Sequence, residues 1–141
     1  MKIEFKKLNQ DAKLPSYSHP TDAGMDLYAL EDIIINPAEK VLIPTGLAIH
    51  LPAGYVALFW DKSSIASQKG LKSLGGVIDS GYTGEMKVIL VNLSNESQTI
   101  SKGAKFIQLL IQPVEHCDIV FVDQINEDCR GSGGFGSTGE F

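Results

Sequence analysis

Apolar residues in this chain fall into short runs, most of them too brief for a helix, separated by residues that favour turns. β-favouring stretches occur at Ile3–Leu8, Ile33–Ile35, Lys40–Ile43, Leu47–Leu51, Tyr55–Trp60, Met86–Asn92, Phe106–Gln112 and Asp118–Val122. Between them lie Asn36-Pro37, Pro44-Thr45-Gly46, Pro52-Ala53-Gly54 and Lys102-Gly103. These suit turns, because proline presets φ and glycine accepts positive φ. Many short strands at such spacing predict an all-β sandwich or barrel. The one helix candidate is a turn or two around Ser63–Gln68, since no 3.6-residue apolar period is sustained elsewhere.

Two runs depart from alternation. Tyr55–Trp60 and Met86–Val91 are apolar at nearly every position, the pattern of a strand buried on both faces. In a small all-β domain such double burial arises inside a closed barrel or against another subunit. The last twelve residues, Arg130–Phe141, include five glycines and are too glycine-rich to hold a strand alone. The expected organisation is one β-barrel domain over residues 1–129 and a flexible glycine-rich C-terminal arm over residues 130–141.

Composition narrows the setting. At 141 residues, 43% hydrophobic and 21% charged, the chain can close a core without metal or disulfide. Charges interrupt Met1–Lys7, and no apolar run approaches the ~20 residues of a bilayer span, so a cytoplasmic protein without membrane attachment is expected. Cys117 and Cys129 are then expected to be free thiols. A net charge of −5 opposes long-range attraction to nucleic acid, so any phosphate site must be built locally. Of twelve basic residues only Arg130 is an arginine.

Five segments carry candidate chemistry, and each also has an ordinary structural explanation. Ala23-Gly24-Met25-Asp26-Leu27 places an acid after a glycine, as strand-entry turns do. Asp61-Lys62-Ser63-Ser64 puts a cation and two hydroxyls where a strand ends, either a phosphate contact or a surface helix cap. Gly75 to Gly84 surrounds Asp79 and Tyr82 with glycines and predicts a tight β-hairpin, whose backbone can approach a planar base closely. Gln108 is a lone polar residue in an apolar strand, satisfying buried backbone groups or facing a ligand. Arg130 to Gly139 offers a guanidinium, glycine amides, hydroxyls and the ring of Phe135, the parts of a phosphate clamp.

In this order the five segments resemble the five motifs of the trimeric dUTPase family, from about Asp22 to Gly139. The resemblance implies a jelly-roll-like β-barrel, a homotrimer with active sites shared between subunits, Mg²⁺, and hydrolysis of dUTP to dUMP and pyrophosphate. It implies that Asp79 activates the water, that Asp26 reaches the metal only through water, and that Gln108 lies near the α-phosphate. Lys62, Ser63 and Ser64 fall at the phosphate contacts. Gly75, Gly76, Val77 and Ile78 would read uracil, and Tyr82 would lie beneath the deoxyribose. Arg130, Phe135, Gly136, Ser137 and Thr138 match the mobile fifth motif that closes over the nucleotide. Lys62 departs from the family's usual arginine, keeping the charge but losing the forked donor geometry. dCTP deaminase is the nearest rival, but its catalytic glutamate has no counterpart in Met86–Val91. A non-catalytic nucleotide sensor on the same barrel is the alternative from another class.

Overall fold

The computed structural model describes residues 1–125, and the chain folds as eleven strands and one short helix among them. The strands are β1 (Glu4–Lys7), β2 (Met25–Tyr28), β3 (Ile33–Ile35), β4 (Lys40–Pro44), β5 (Leu47–His50) and β6 (Tyr55–Trp60). After α1 (Ser63–Lys69) come β7 (Leu71–Leu74), β8 (Val77–Asp79), β9 (Lys87–Asn92), β10 (Gln98–Ile100) and β11 (Lys105–Pro113). All pairings are antiparallel. A four-stranded sheet, β2-β11-β6-β8, and a three-stranded sheet, β4-β9-β7, supply most of the core, and the pairs β1-β5 and β10-β3 complete a jelly-roll-like β fold.

Leu27, Phe59, Ile107 and Leu109 from the larger sheet share one buried cluster with Ile43, Leu71, Val88 and Leu90 from the smaller. Alternation explains the division: inward residues of each strand are buried, and their neighbours face out. Lys87–Asn92 is fully buried on one face only, and in Tyr55–Trp60 Val56, Ala57 and Phe59 are buried while Tyr55 is partly covered. Leu58, Ile89 and Val91 are partly covered and Trp60 is exposed. The expectation of double burial is therefore not met inside one copy.

Three further expectations are corrected. The Asp118–Val122 run forms no strand. β11 ends at Pro113, no sheet edge of the chain receives the run, and Ile119 to Val122 stay exposed. The glycine-flanked stretch after β7 is not a hairpin. β7 pairs with β9 and β8 with β6, so Gly75-Gly76, with φ of 69° and 111°, carries the chain from one sheet to the other. Finally, β2, β7, β8 and β10 were not among the anticipated strand runs. α1 forms where expected and stops at Gly70, whose left-handed conformation lets its amide donate to the Ala66 carbonyl. Cys117 is a free, exposed thiol, and Cys129 lies outside the described residues.

Candidate active site

The four-stranded sheet places the predicted acids by register. Gln108 on β11 lies opposite both Asp26 on β2 and Trp60 on β6, so these three share one face. Four residues back along β6, Val56 lies opposite Asp79, which puts Asp79 on that face too. With about 3.3 Å per residue and 4.8 Å per strand, Gln108 and Asp79 are roughly 16 Å apart. One copy thus holds two separate half-sites.

The first half-site centres on Asp26, buried to 4% exposure. Its Oδ1 accepts from Lys62 Nζ at 2.5 Å, and its Oδ2 accepts from Ser18 Oγ at 2.8 Å and lies 2.9 Å from Lys105 Nζ. A β-bulge makes this possible. Register shifts between Lys105 and Ile107, the extra residue Phe106 turns into the core with Ile107, and Lys105 emerges on the same face as Gln108. Gly24 lets Gln108 approach, because a methyl there would stand 2.9 Å from Gln108 Oε1 and Leu110 Cδ1 and both side chains would have to shift. Ser18, Asp22, Asp26, Lys62 and Gln108 line a polar cleft of about 200 Å³. Lys62 is the residue before the helix, but its side chain pairs with Asp26 and makes no cap, while Ser63 and Ser64 are exposed in the first turn.

Burial pushes the Asp26 carboxyl up, but hydrogen bonds from Lys62, Lys105 and Ser18 outweigh it and bring the pKa to about 2. A carboxyl depressed from 3.8 to about 2 contributes stability that is complete above the higher value and lost as pH falls toward the lower. The drop corresponds to roughly 2 kcal/mol. Urea titrations from pH 6 to pH 2 should show the wild type losing about that much more stability than Asp26→Asn. Parallel pH profiles would show that the lysine clamp is not formed in solution.

The second half-site lies where β8 ends. Asp79 is exposed, and its carbonyl accepts from the Tyr82 amide at 3.0 Å, closing a turn. Tyr82 Oη donates to the Glu85 carbonyl at 2.9 Å, which holds the half-exposed ring beside the turn. Gly76, Val77, Ile78, Asp79 and Tyr82 border a second cleft of about 200 Å³. Phe59 donates its amide to the Gly76 carbonyl at 2.9 Å. The Ile78 side chain is buried in the core, so only its backbone is available to a ligand. Among the described residues no cation lies within ion-pair distance of Asp79. Arg130, Phe135, Gly136, Ser137 and Thr138 lie outside the described residues.

A family model of dUTPase matches residues 10–139, nearly the whole chain and both half-sites. The chain belongs to the dUTPase family. Deoxyuridine 5'-triphosphate nucleotidohydrolase of Nautilia profundicola is 44% identical over 99% of this chain and 100% of its own. The enzyme of that name from Clostridium tetani is 44% identical over 98% of this chain and 97% of its own. Among solved structures, dUTPase of Staphylococcus bacteriophage 80alpha with dUpNHpp is 29% identical, covers 98% of each chain and superposes with a TM-score of 0.92. A mutant dUTPase of phage phi11 of S. aureus, whose structure concerns coordination of a structural Mg(II) ion, is 25% identical over 90% of this chain and 100% of its own, with a TM-score of 0.84.

As a dUTPase family member the chain is a hydrolase. The deaminase alternative gains nothing from the structure, since β9 reads Lys-Val-Ile-Leu-Val-Asn and carries no acid. Reasoning from sequence missed Ser18, Asp22 and Lys105. No local signal exposes them, because the bulge and the loop before β2 bring them to Asp26.

Proposed function

We propose that this chain hydrolyses dUTP to dUMP and pyrophosphate in active sites completed between copies of a homotrimer, working in the cytoplasm to supply dUMP and keep uracil out of DNA. The observation that carries this reading is the split arrangement. Asp79, without an ion-pair partner among the described residues, sits beside a cleft whose one lysine, Lys87, is matched by Glu85, and a polar cleft holding Lys62 and Gln108 lies elsewhere on the same sheet face. Neither half can both position a base and neutralise a triphosphate. Joined across a subunit boundary, they can.

Asp79 hydrogen-bonds a water and takes its proton as the oxygen attacks the α-phosphorus, while the α–β bridging oxygen leaves with pyrophosphate. Lys62 and Lys105 offset Asp26 and Asp22 at the first half-site, so their ammonium groups are donors to the phosphates and Arg130 with Mg²⁺ would supply the excess positive charge. Gln108 and the exposed Ser63 and Ser64 add neutral donors. Backbone groups of Gly75 to Ile78 read the uracil edge, and hydrogen-bonded recognition of this type discriminates by as much as ~10⁴.

Among the described residues no group of three or more His, Cys, Asp or Glu converges, and both Asp26 oxygens already have partners. Asp26 is the carboxylate that would hold Mg²⁺, and would do so through a water, since both its oxygens already accept from side chains. When bound, the ion neutralises phosphate charge.

A panel of dUTP, dCTP, dTTP and UTP with Mg²⁺, scored for pyrophosphate, tests the reading. Release from dUTP alone is expected. Release from none favours a nucleotide sensor, and ammonia from dCTP favours a deaminase. Tyr82→Ala should raise the UTP-to-dUTP ratio of kcat/KM more than it weakens dUTP binding, because the ring is assigned to lie beneath the deoxyribose and exclude a 2′-hydroxyl. An unchanged ratio removes that role.

A further inference from the structure

Residues Phe59 to Lys62 touch both half-sites in succession, and the proposed function leaves one of them without a task. Phe59 donates its amide to the Gly76 carbonyl at 2.9 Å, and Lys62 binds Asp26. Between them, Asp61 Oδ1 accepts the Ser73 amide at 2.8 Å and Oδ2 accepts from Lys72 Nζ at 2.5 Å. Among the described residues β7 is an edge strand whose only partner is β9. The outward Ser73 amide therefore finds in Asp61 the acceptor that a neighbouring strand would otherwise supply. Ser73 is buried, and two residues later the chain enters the Gly75-Gly76 crossing between sheets.

We propose that Asp61 is a positioning residue for nucleobase specificity, its carboxylate holding the edge of β7 so that Gly75 to Ile78 keeps the shape that reads the base. The inference rests on the proposed reading of uracil by that segment. Two ties, Phe59 to Gly76 and Asp61 to Ser73, grip the segment on either side of its left-handed glycines. Losing the second leaves the β7 side held by its pairing with β9 alone. Burial raises the Asp61 carboxyl, but bonds from Lys72 and Ser73 outweigh it and hold it below the ordinary value, so the tie is charged at neutral pH.

The test is kcat and KM for dUTP and dCTP in Asp61→Ala, Asp61→Asn, Lys72→Met and Gly76→Ala. Asp61→Ala should lower the dUTP preference about tenfold, the size of one charge-assisted hydrogen bond. The loss should appear in KM for dUTP, with kcat little changed. Asp61→Asn keeps an oxygen for the Ser73 amide and should restore most of the preference. Lys72→Met leaves the Ser73 bond intact and should behave as wild type. If Asp61→Ala does not fold, Asp61→Ser takes its place, since its hydroxyl stops short of the Ser73 amide. Gly76→Ala separates the two levels, because a methyl there meets Phe59 at 3.2 Å on a backbone of positive φ. Unchanged preference in Gly76→Ala overturns base reading by this segment. Lost preference in Gly76→Ala with wild-type preference in Asp61→Ala, or equal losses in Asp61→Ala and Asp61→Asn, overturns the role of Asp61.

Discussion

Asp79→Asn should reduce dUTP turnover by about 10³-fold, near the middle of the range for loss of a general base. Affinity for a non-hydrolysable dUTP analogue should stay close to wild type. The side chain is exposed at the end of β8 and packs against nothing that the amide would disturb. The amide keeps its shape and can still hold a water, yet it takes no proton at neutral pH. Stability should therefore change by less than about 0.5 kcal/mol, as for other surface substitutions. Single-turnover kinetics with the analogue's Kd separate the two effects. Substantial residual turnover would remove Asp79 as the base.

Deletion of Arg130–Phe141 should leave a folded protein that binds dUMP weakly and hydrolyses dUTP at least 10²-fold more slowly, comparable to losing one preorganised donor to the transition state. Among the described residues the buried core lies between Ala12 and Leu109, and a segment with five glycines in twelve residues offers little apolar surface to bury, so the melting temperature should barely move. Twelve residues extend at most ~40 Å, enough to reach a site on a neighbouring copy. The segment holds the only arginine, five glycines and Phe135. We propose that it closes over the nucleotide, adding charge to the phosphates and excluding water. A truncated enzyme with full kcat would overturn this. Fluorescence of Phe135→Trp in a Trp60→Phe background offers a second readout, expected to change on binding the analogue.

Strands were legible in the sequence where apolar density was high. Tyr55–Trp60, Ile33–Ile35 and the bodies of β4, β5, β9 and β11 fall where the hydrophobic runs place them. β2, β7, β8 and β10 escaped because strands of three or four residues that carry polar side chains, here Asp26, Lys72-Ser73, Asp79 and Thr99, leave no apolar run to read. Asp118–Val122 misled for the opposite reason. β propensity records what a half-buried sheet surface accepts, and this run finds no such surface within the chain.

The candidate site was legible as residue types in order, not as geometry. Asp26, Lys62 and Gln108 do meet, and Asp79 and Tyr82 do meet, but the two groups are held apart by strand register that no local pattern encodes. The predicted hairpin became a crossing between sheets because glycine composition specifies positive φ without specifying which strand pairs next. Lys105 entered the site through a bulge that flips side-chain parity, a change invisible to period-two reading.

The separation of the half-sites leads to one decisive mixing experiment. Asp79→Asn and Gln108→Ala chains are each inactivated, then refolded together in equal amounts, with mixed oligomers verified by native mass spectrometry. If every site takes Asp79 from one copy and Gln108 from another, roughly a quarter of sites in a statistical mixture are intact, and dUTP hydrolysis should recover to about that fraction. Mixed oligomers as inactive as either parent would contradict shared sites and place the whole reaction within one chain.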